Sequence, residues 1–266
     1  MEIRRIQEHE ITAVQEILPE QWNPNLTGLY RTYRNSDRFQ PLVAVERGTI
    51  AAYGQALIFG DTAWLGSISV RRESRRRGIG QRITEELIDR CYSRGASSIH
   101  LMATDAGEPL YRKLGFVDDT LYLFYSGRYH GPVNGNIHPI EERDRDSVLD
   151  ISRRVTGEER DAMLDEYLHT GYKYCDDAHR ITGFFLPEFG NGLVLAMDDD
   201  SGRELLKYKH SGGNTLSVLS EENETGVDFL EAMDFQRMNS SKRMYLGACR
   251  EWYPDKTFSR GATYAG

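Results

Sequence analysis

The sequence predicts an α/β protein of two domains, each a mixed sheet flanked by helices. Three observations carry that expectation. Apolar stretches with strand-type alternation, Leu42–Glu46, Thr49–Phe59 and Thr62–Val70, are joined by two-residue turns at Arg47-Gly48 and Gly60-Asp61. The last of them runs through a basic, glycine-bearing stretch, Ser67–Gln81 (SISVRRESRRRGIGQ). Beyond it, Ile79, Ile83, Leu87 and Cys91 recur every four positions and line one helical face. Third, the second half of the chain repeats landmarks of the first, in the same order.

Taken in order, Ile3–Ile6 reads as a short strand. Ile11, Val14, Ile17 and Leu18 mark a helical face that Pro19 ends. Residues 20–35 hold Trp22, Pro24, Leu26, Leu29, Tyr30 and Tyr33 and predict a loop and a second helix. After the three strands, the helix opened by Ile79 stops at Gly95. Ile99–Ala103 is a further strand, Leu110–Leu114 a short helix capped by Gly115, and Leu121–Tyr125 the last strand of the first half. Ser126–Asn136 (SGRYHGPVNGN), rich in glycine with one proline, is the linker and places the domains at 1–130 and 131–266.

The repetition is weak in identity and consistent in position. Ile137–Ile151 lies over Ile3–Ile17 without a gap, with five of fifteen positions identical. Phe229–Phe235 (FLEAMDF) lies over Leu110–Phe116 (LYRKLGF). The two marks stand fifteen residues closer together in the second copy. That copy has no R-x-x-G-x-G. Its counterpart strand, Leu193–Met197, leads into Asp198-Asp199-Asp200, which repels an anion and reads as a solvated turn and helix N-cap rather than a metal site.

Composition narrows the function classes. The 266 residues carry a net charge of −8, against general nucleic-acid binding. No apolar run is long enough to cross a bilayer. The opening MEIRRIQEHEITAV has no apolar signal core. Cys91, Cys175 and Cys249 are widely spaced with no C-x-x-C, which predicts free thiols in a reducing cytoplasm and no structural zinc. The seven histidines show no ligand spacing and there is no G-x-S-x-G, so no metal and no serine nucleophile is expected. Against the acidic background, residues 71–90 hold seven arginines and four acids, a local +3. A positive spot on an acidic chain suits a small polyanion held in one place.

Ser67–Gln81 has the form of an anion site. A helix start presents free N–H groups and a partial positive charge, and glycines let the backbone approach phosphate oxygens. Arg75, Gly78 and Gly80 stand in the spacing R-x-x-G-x-G.

The run SVRRESRRRGIGQRITEELI followed by LYRKLGF resembles the GCN5-related N-acetyltransferase (GNAT) family over the N-terminal half. The second half, with its ending RGATYAG, is similar to the degenerate second domain of tandem, YitH-like members. The resemblance implies two GNAT-like domains in tandem, each a mixed, mostly antiparallel sheet flanked by helices. It implies acetyl-CoA as acyl donor, with its pyrophosphate on Arg75, Arg76, Arg77, Gly78, Ile79, Gly80 and Gln81. The pantetheine arm would lie along Ile68, Ser69 and Val70, with a backbone N–H near Val70 facing the thioester carbonyl. Tyr111 matches the family's general acid, and Leu230 stands in its place in the second copy. The Gln21–Tyr33 segment, with Trp22, Tyr30 and Tyr33, and the second domain would frame the acceptor.

The general base is left open among Glu108, Asp105, Asp61 and a water chain. The expected reaction is direct transfer of acetyl to a primary amine, most simply a small molecule, by a cytoplasmic enzyme that touches neither nucleic acid nor membrane. Its oligomeric state is left open. A protein or peptide N-acetyltransferase and a non-catalytic acyl-CoA sensor are the alternatives. The aromatic tail, with Trp252, Tyr253, Phe258 and Tyr264, is expected to dock on the body.

Overall fold

The computed structural model of the protein describes residues 1–19, 22 and 26–262. The chain forms two compact units, 1–117 with 244–248, and 118–243 with 249–266.

The first unit begins with β1 (Glu2–Arg5), followed by helices α1 (Ile11–Gln15) and α2 (Leu26–Tyr33). Strands β2 (Phe39–Glu46), β3 (Thr49–Phe59) and β4 (Thr62–Val70) follow as an antiparallel meander. The β2–β3 turn has Arg47 and Gly48 both at positive φ (49° and 79°), the twist a two-residue hairpin requires. Then come α3 (Ile79–Ser93), β5 (Ser98–Ala103) and α4 (Glu108–Lys113). The strand order is β1-β2-β3-β4-β5, with β5 parallel to β4 because α3 carries the chain across. Both faces of β3 are covered, so from Ile50 onward it is buried throughout rather than alternately. On one face Ile79, Ile83, Leu87 and Cys91 of α3 pack on Ala52, Ala56, Ala63 and Leu65. On the other, Ile11, Val14, Ile17, Leu18 and Leu26 pack on Val43 and Tyr53.

The second unit takes β6 (Val117–Gly127) from Asp118 onward, then β7 (Ile137–Pro139), α5 (Arg145–Thr156), α6 (Asp161–Leu164), β8 (Tyr172–Cys175), β9 (Ile181–Leu186) and β10 (Leu193–Ala196). It continues with α7 (Asp199–Ser211), β11 (Thr215–Ser220), α8 (Glu224–Ala232), β12 (Gln236–Gly247) and β13 (Thr257–Ser259). One sheet has the order β13-β10-β9-β8-β7, and β11 pairs antiparallel with β6. The element order repeats that of the first unit down to its capping. Gln7 and Glu10 form a reciprocal capping box, and Glu141 and Asp144, the aligned pair, form the same one.

The division differs from the 130/131 boundary expected at the glycine-rich segment. β6 lies with the second unit because it pairs with β11 from Tyr122 to Gly127, and residues 244–248 at the end of β12 lie with the first. Ala248 N donates to Ser97 O at 2.8 Å. Local composition marks a flexible stretch; strand partners, set by distant residues, decide the unit.

Candidate active site

The site in the first unit begins where β4 leaves β5. Thr62–Leu65 pair in parallel with Ser98–Leu101, and among the described residues that pairing stops at Leu65. Beyond it Gly66, Ser67 and Ile68 are half-buried. The β3–β4 register slips between Tyr53 and Gln55, and Ser67 stands at φ 54°, so a β-bulge bends β4 away at this point. Gly54 packs closely beside the bulge, since a Cβ there would lie 3.0 Å from the Leu87 side chain and 3.2 Å from that of Ile68, both of which would have to shift.

Ile68 and Val70 turn toward α3 and pack on its core. Ser69 faces the other way, its hydroxyl donating to Ile17 O at 2.9 Å. Arg71 N donates to Ala51 O at 2.8 Å. Strand alternation therefore directs the N–H and carbonyl of Val70 to the opposite edge, toward the gap beside β5. The Val70 carbonyl accepts from Arg75 Nε at 3.0 Å.

The basic turn follows. Arg76 (φ 61°) and Gly78 (φ 78°) are both left-handed, and Gly78 is the N-cap of α3. The first α3 N–H to close onto a carbonyl is that of Arg82, on Gly78 O at 3.1 Å. The N–H groups of Ile79, Gly80 and Gln81 precede it and project from the helix start. A Cβ on Gly80 would sit 3.4 Å from Val70 and 3.8 Å from Leu110, so the helix start, the end of β4 and α4 converge here. Among the arginines, Arg77 is held by Glu46 of β2 at 3.0 Å, and Arg75 by the Val70 carbonyl, while Arg76 is exposed.

Lys113, which the sequence pattern did not single out, reaches the candidate site. It stands at the end of α4, and its Nζ donates to Gln81 Oε1 at 3.0 Å, while Gln81 Nε2 donates to Glu85. A second cation is thereby brought to the first turn of α3. The LYRKLGF run that places Tyr111 holds its signal as well.

Tyr111 lies on α4, 8% exposed, with its ring edge-on to Phe116 and centroids 5.9 Å apart. Gly107 makes room for it, as a Cβ there would come within 2.8 Å of the ring. Burial pushes the phenol up to about 12. The hydroxyl makes no hydrogen bond among the described residues, and it is not among the fully buried polar atoms.

The candidate bases separate. Asp61 precedes β4 at the end away from the gap, about 30 Å from Val70 along an extended strand, which removes it from the site. Glu108 is paired with Arg112 at 2.9 Å. Asp105 is exposed in the turn between β5 and α4.

Of the residues expected to frame the acceptor, Tyr30 packs against the α1 cluster, Trp22 is 37% exposed, and Gln21 lies outside the described residues. His100 is structural: it stacks on Trp64 at 5.1 Å, and its Nε2 is 3.0 Å from Ser98 Oγ. The three cysteines are free, and burial lifts the Cys91 thiol to about 12. No helix among the described residues is long and apolar enough to cross a membrane.

Residues 8–116 match the family model described as Acetyltransferase (GNAT) family. No curated protein matches the chain significantly. A crystal structure from Pyrococcus horikoshii, provisionally assigned as an acetyltransferase, is 21% identical with a TM-score of 0.84, covering 100% of this chain and 95% of that one. A GCN5-related N-acetyltransferase from Sphaerobacter thermophilus is 12% identical with a TM-score of 0.65, covering 96% and 98%. Another from Anabaena variabilis is 11% identical with a TM-score of 0.60, covering 92% and 72%. At these identities the likeness is one of fold, and it extends over the whole chain.

Proposed function

We propose that the chain is an N-acetyltransferase of the GNAT type that moves an acetyl group from acetyl-CoA to a primary amine. The observation that carries the reading is the gap where β4 parts from β5, ending on a basic, glycine-bearing helix start with Tyr111 on the helix beyond. Acetyl-CoA supplies an activated thioester. The residues present suit it: free N–H groups at the α3 start and the cations Arg76 and Lys113 for a pyrophosphate, and the open edge of Ile68–Val70 for an extended arm.

The Val70 N–H supports the reading as an oxyanion donor, because strand alternation turns it toward the gap. A new C–N bond forms to the carbonyl carbon, the C–S bond breaks, and the amine sheds one proton to solvent or water. Tyr111 is the donor to the leaving sulfur. A phenol near 12 is less acidic than a thiol of reference pKa about 8.5, so full transfer is uphill. Its contribution is a hydrogen bond that strengthens as charge builds on sulfur. No acidic side chain is assigned as base. An α-amine, with a pKa of about 8, is substantially neutral near pH 7–8 and needs only water as acceptor of its proton.

A small cationic amine is favoured by the net charge of −8, which also disfavours nucleic acid and anionic membrane surfaces. The second unit is read as a degenerate copy in a YitH-like tandem. Asp198–Asp200 replace its glycine turn, and Leu230, fully buried, replaces Tyr111. The reading is tested by measuring free CoA release from acetyl-CoA across amino acids, polyamines, aminosugars and peptides. Release stimulated by one amine class and abolished in Gly78→Asp supports it; no stimulation, with no acetyl-CoA binding by calorimetry, overturns it.

A further inference from the structure

The two units treat the same place in their folds differently. In the first, β4 beyond Leu65 is unpaired on its β5 side among the described residues. In the second, the counterpart strand β10 has β13, residues Thr257–Ser259 of the C-terminal segment, alongside it, with Val194 opposite Ser259 and Leu195 opposite Thr257. The same segment bonds to the counterpart of β5, since Arg260 N donates to Val218 O of β11 at 2.6 Å. A stretch of the chain's own backbone thus lies between β10 and β11, hydrogen-bonded on both sides.

Side chains of that segment are fitted to the slot. Phe258 is 0% exposed and joins Leu205, Leu206, Leu219 and Phe229 in the core. A Cβ on Gly202 of α7 would fall 2.1 Å from the Phe258 ring, so only glycine admits it. Asn223 Nδ2 donates to Thr257 O at 3.1 Å, and Asn191 N to Gly261 O at 2.7 Å. Charge is inverted as well. Asp199, at the start of α7, pairs with Lys256 of the segment at 3.2 Å, where the first unit presents arginines.

We infer that the second unit is a strand-accepting slot, specific for an extended peptide rather than for a nucleotide-bearing arm, and that residues 257–262 occupy it in cis. The inference leans on the cofactor reading only for the identity of the slot. Main-chain bonds on two edges supply affinity and the Phe258 pocket supplies specificity, as in strand-addition recognition. Asp198, Asp199 and Asp200 exclude a pyrophosphate from the helix start.

The test uses the full chain, the chain ended after Lys256, and Phe258→Ala, each by thermal unfolding and by calorimetric titration with CoA. Wild type is expected to bind one equivalent of CoA. With the same CoA concentration in every sample, truncation should lower the melting temperature by about 10 °C, and a synthetic peptide of residues 257–266 added in trans should recover most of that loss where the same peptide carrying Phe258→Ala does not. Should the truncated chain not fold, Phe258→Ala carries the test with a fall of similar size. A melting temperature unchanged in both variants, or a second equivalent of CoA bound by any of the proteins, overturns the inference. If wild type binds no CoA, the acetyltransferase reading of the first unit fails, and the peptide rescue still decides the slot.

Discussion

Tyr111 shows what a single residue owes to its surroundings. Its ring is held by Phe116 and by the absence of a side chain at Gly107, and burial keeps its hydroxyl protonated across the whole neutral range. Tyr111→Phe removes the hydroxyl and leaves the packing. We expect kcat for acetyl transfer to fall about 100-fold while the Kd for acetyl-CoA, measured by calorimetry, stays within about twofold. Gly107→Val, which forces the ring aside, should lower kcat similarly with the tyrosine intact. His210 is the corresponding residue for stability. Its Nε2 stands 2.8 Å from Ser217 Oγ and its Nδ1 3.2 Å from Gly127 O. Burial first, then the neighbouring Lys209 ammonium, hold its pKa down to about 4. The unfolded chain binds this proton from pH 6.5 downward and the folded chain does not until about 4. Stability is therefore full above 6.5 and falls through that window, by up to about 3 kcal/mol. Urea unfolding from about pH 7.5 to 4 should show the slope, and His210→Gln should flatten it.

At the scale of the element, α3 depends on how its first turn is entered. Gly78 stands at φ 78°, and a Cβ added to it would meet nothing within 4 Å, so Gly78→Ala meets backbone strain alone, about 1 kcal/mol. Gly78→Asp adds a negative charge where the proposed function places a pyrophosphate. Alanine should leave acetyl-CoA affinity within about fivefold while aspartate lowers it more than about 100-fold, a difference read by calorimetry. The entry to this helix was legible in the sequence because glycine spacing and helical periodicity are local properties. So were the Arg47-Gly48 hairpin and the Asp198 N-cap, whose side chain accepts from Ser201 N at 2.8 Å. The bulge at Ser67 was not, since nothing in SISV announces a register slip against Tyr53 and Gln55. The early end of α1 at Gln15, ahead of Pro19, was not legible either.

For the molecule as a whole, the units are not the halves of the chain. A fragment of residues 1–130 keeps β6 without β11 and lacks residues 244–248, whose Ala248 N reaches Ser97 O. That fragment should be largely insoluble or lack cooperative unfolding by circular dichroism, whereas the full chain unfolds cooperatively. The net charge of −8 also acts over the whole surface. The KM for a cationic amine should rise several-fold between about 20 and 300 mM salt, while that for a neutral amine stays level.

By itself the sequence determined the local grammar: strands, glycine turns, the α3 start, the short helix that carries Tyr111, and the order in which they come twice. These follow from side-chain periodicity and from the φ values that glycine permits, both set within a few residues. Only the tertiary structure decided which strand lies beside which, that Lys113 meets Gln81, that Glu46 takes Arg77, and that β13 fills in the second unit the gap that β4 leaves in the first. Those outcomes are hydrogen bonds and ion pairs between residues far apart along the chain. An unpaired strand edge takes whichever partner the fold delivers to it, and no local pattern encodes that choice. The two units thus carry one pattern of elements, with an open edge above a basic helix start in one and a peptide strand above an acidic helix start in the other.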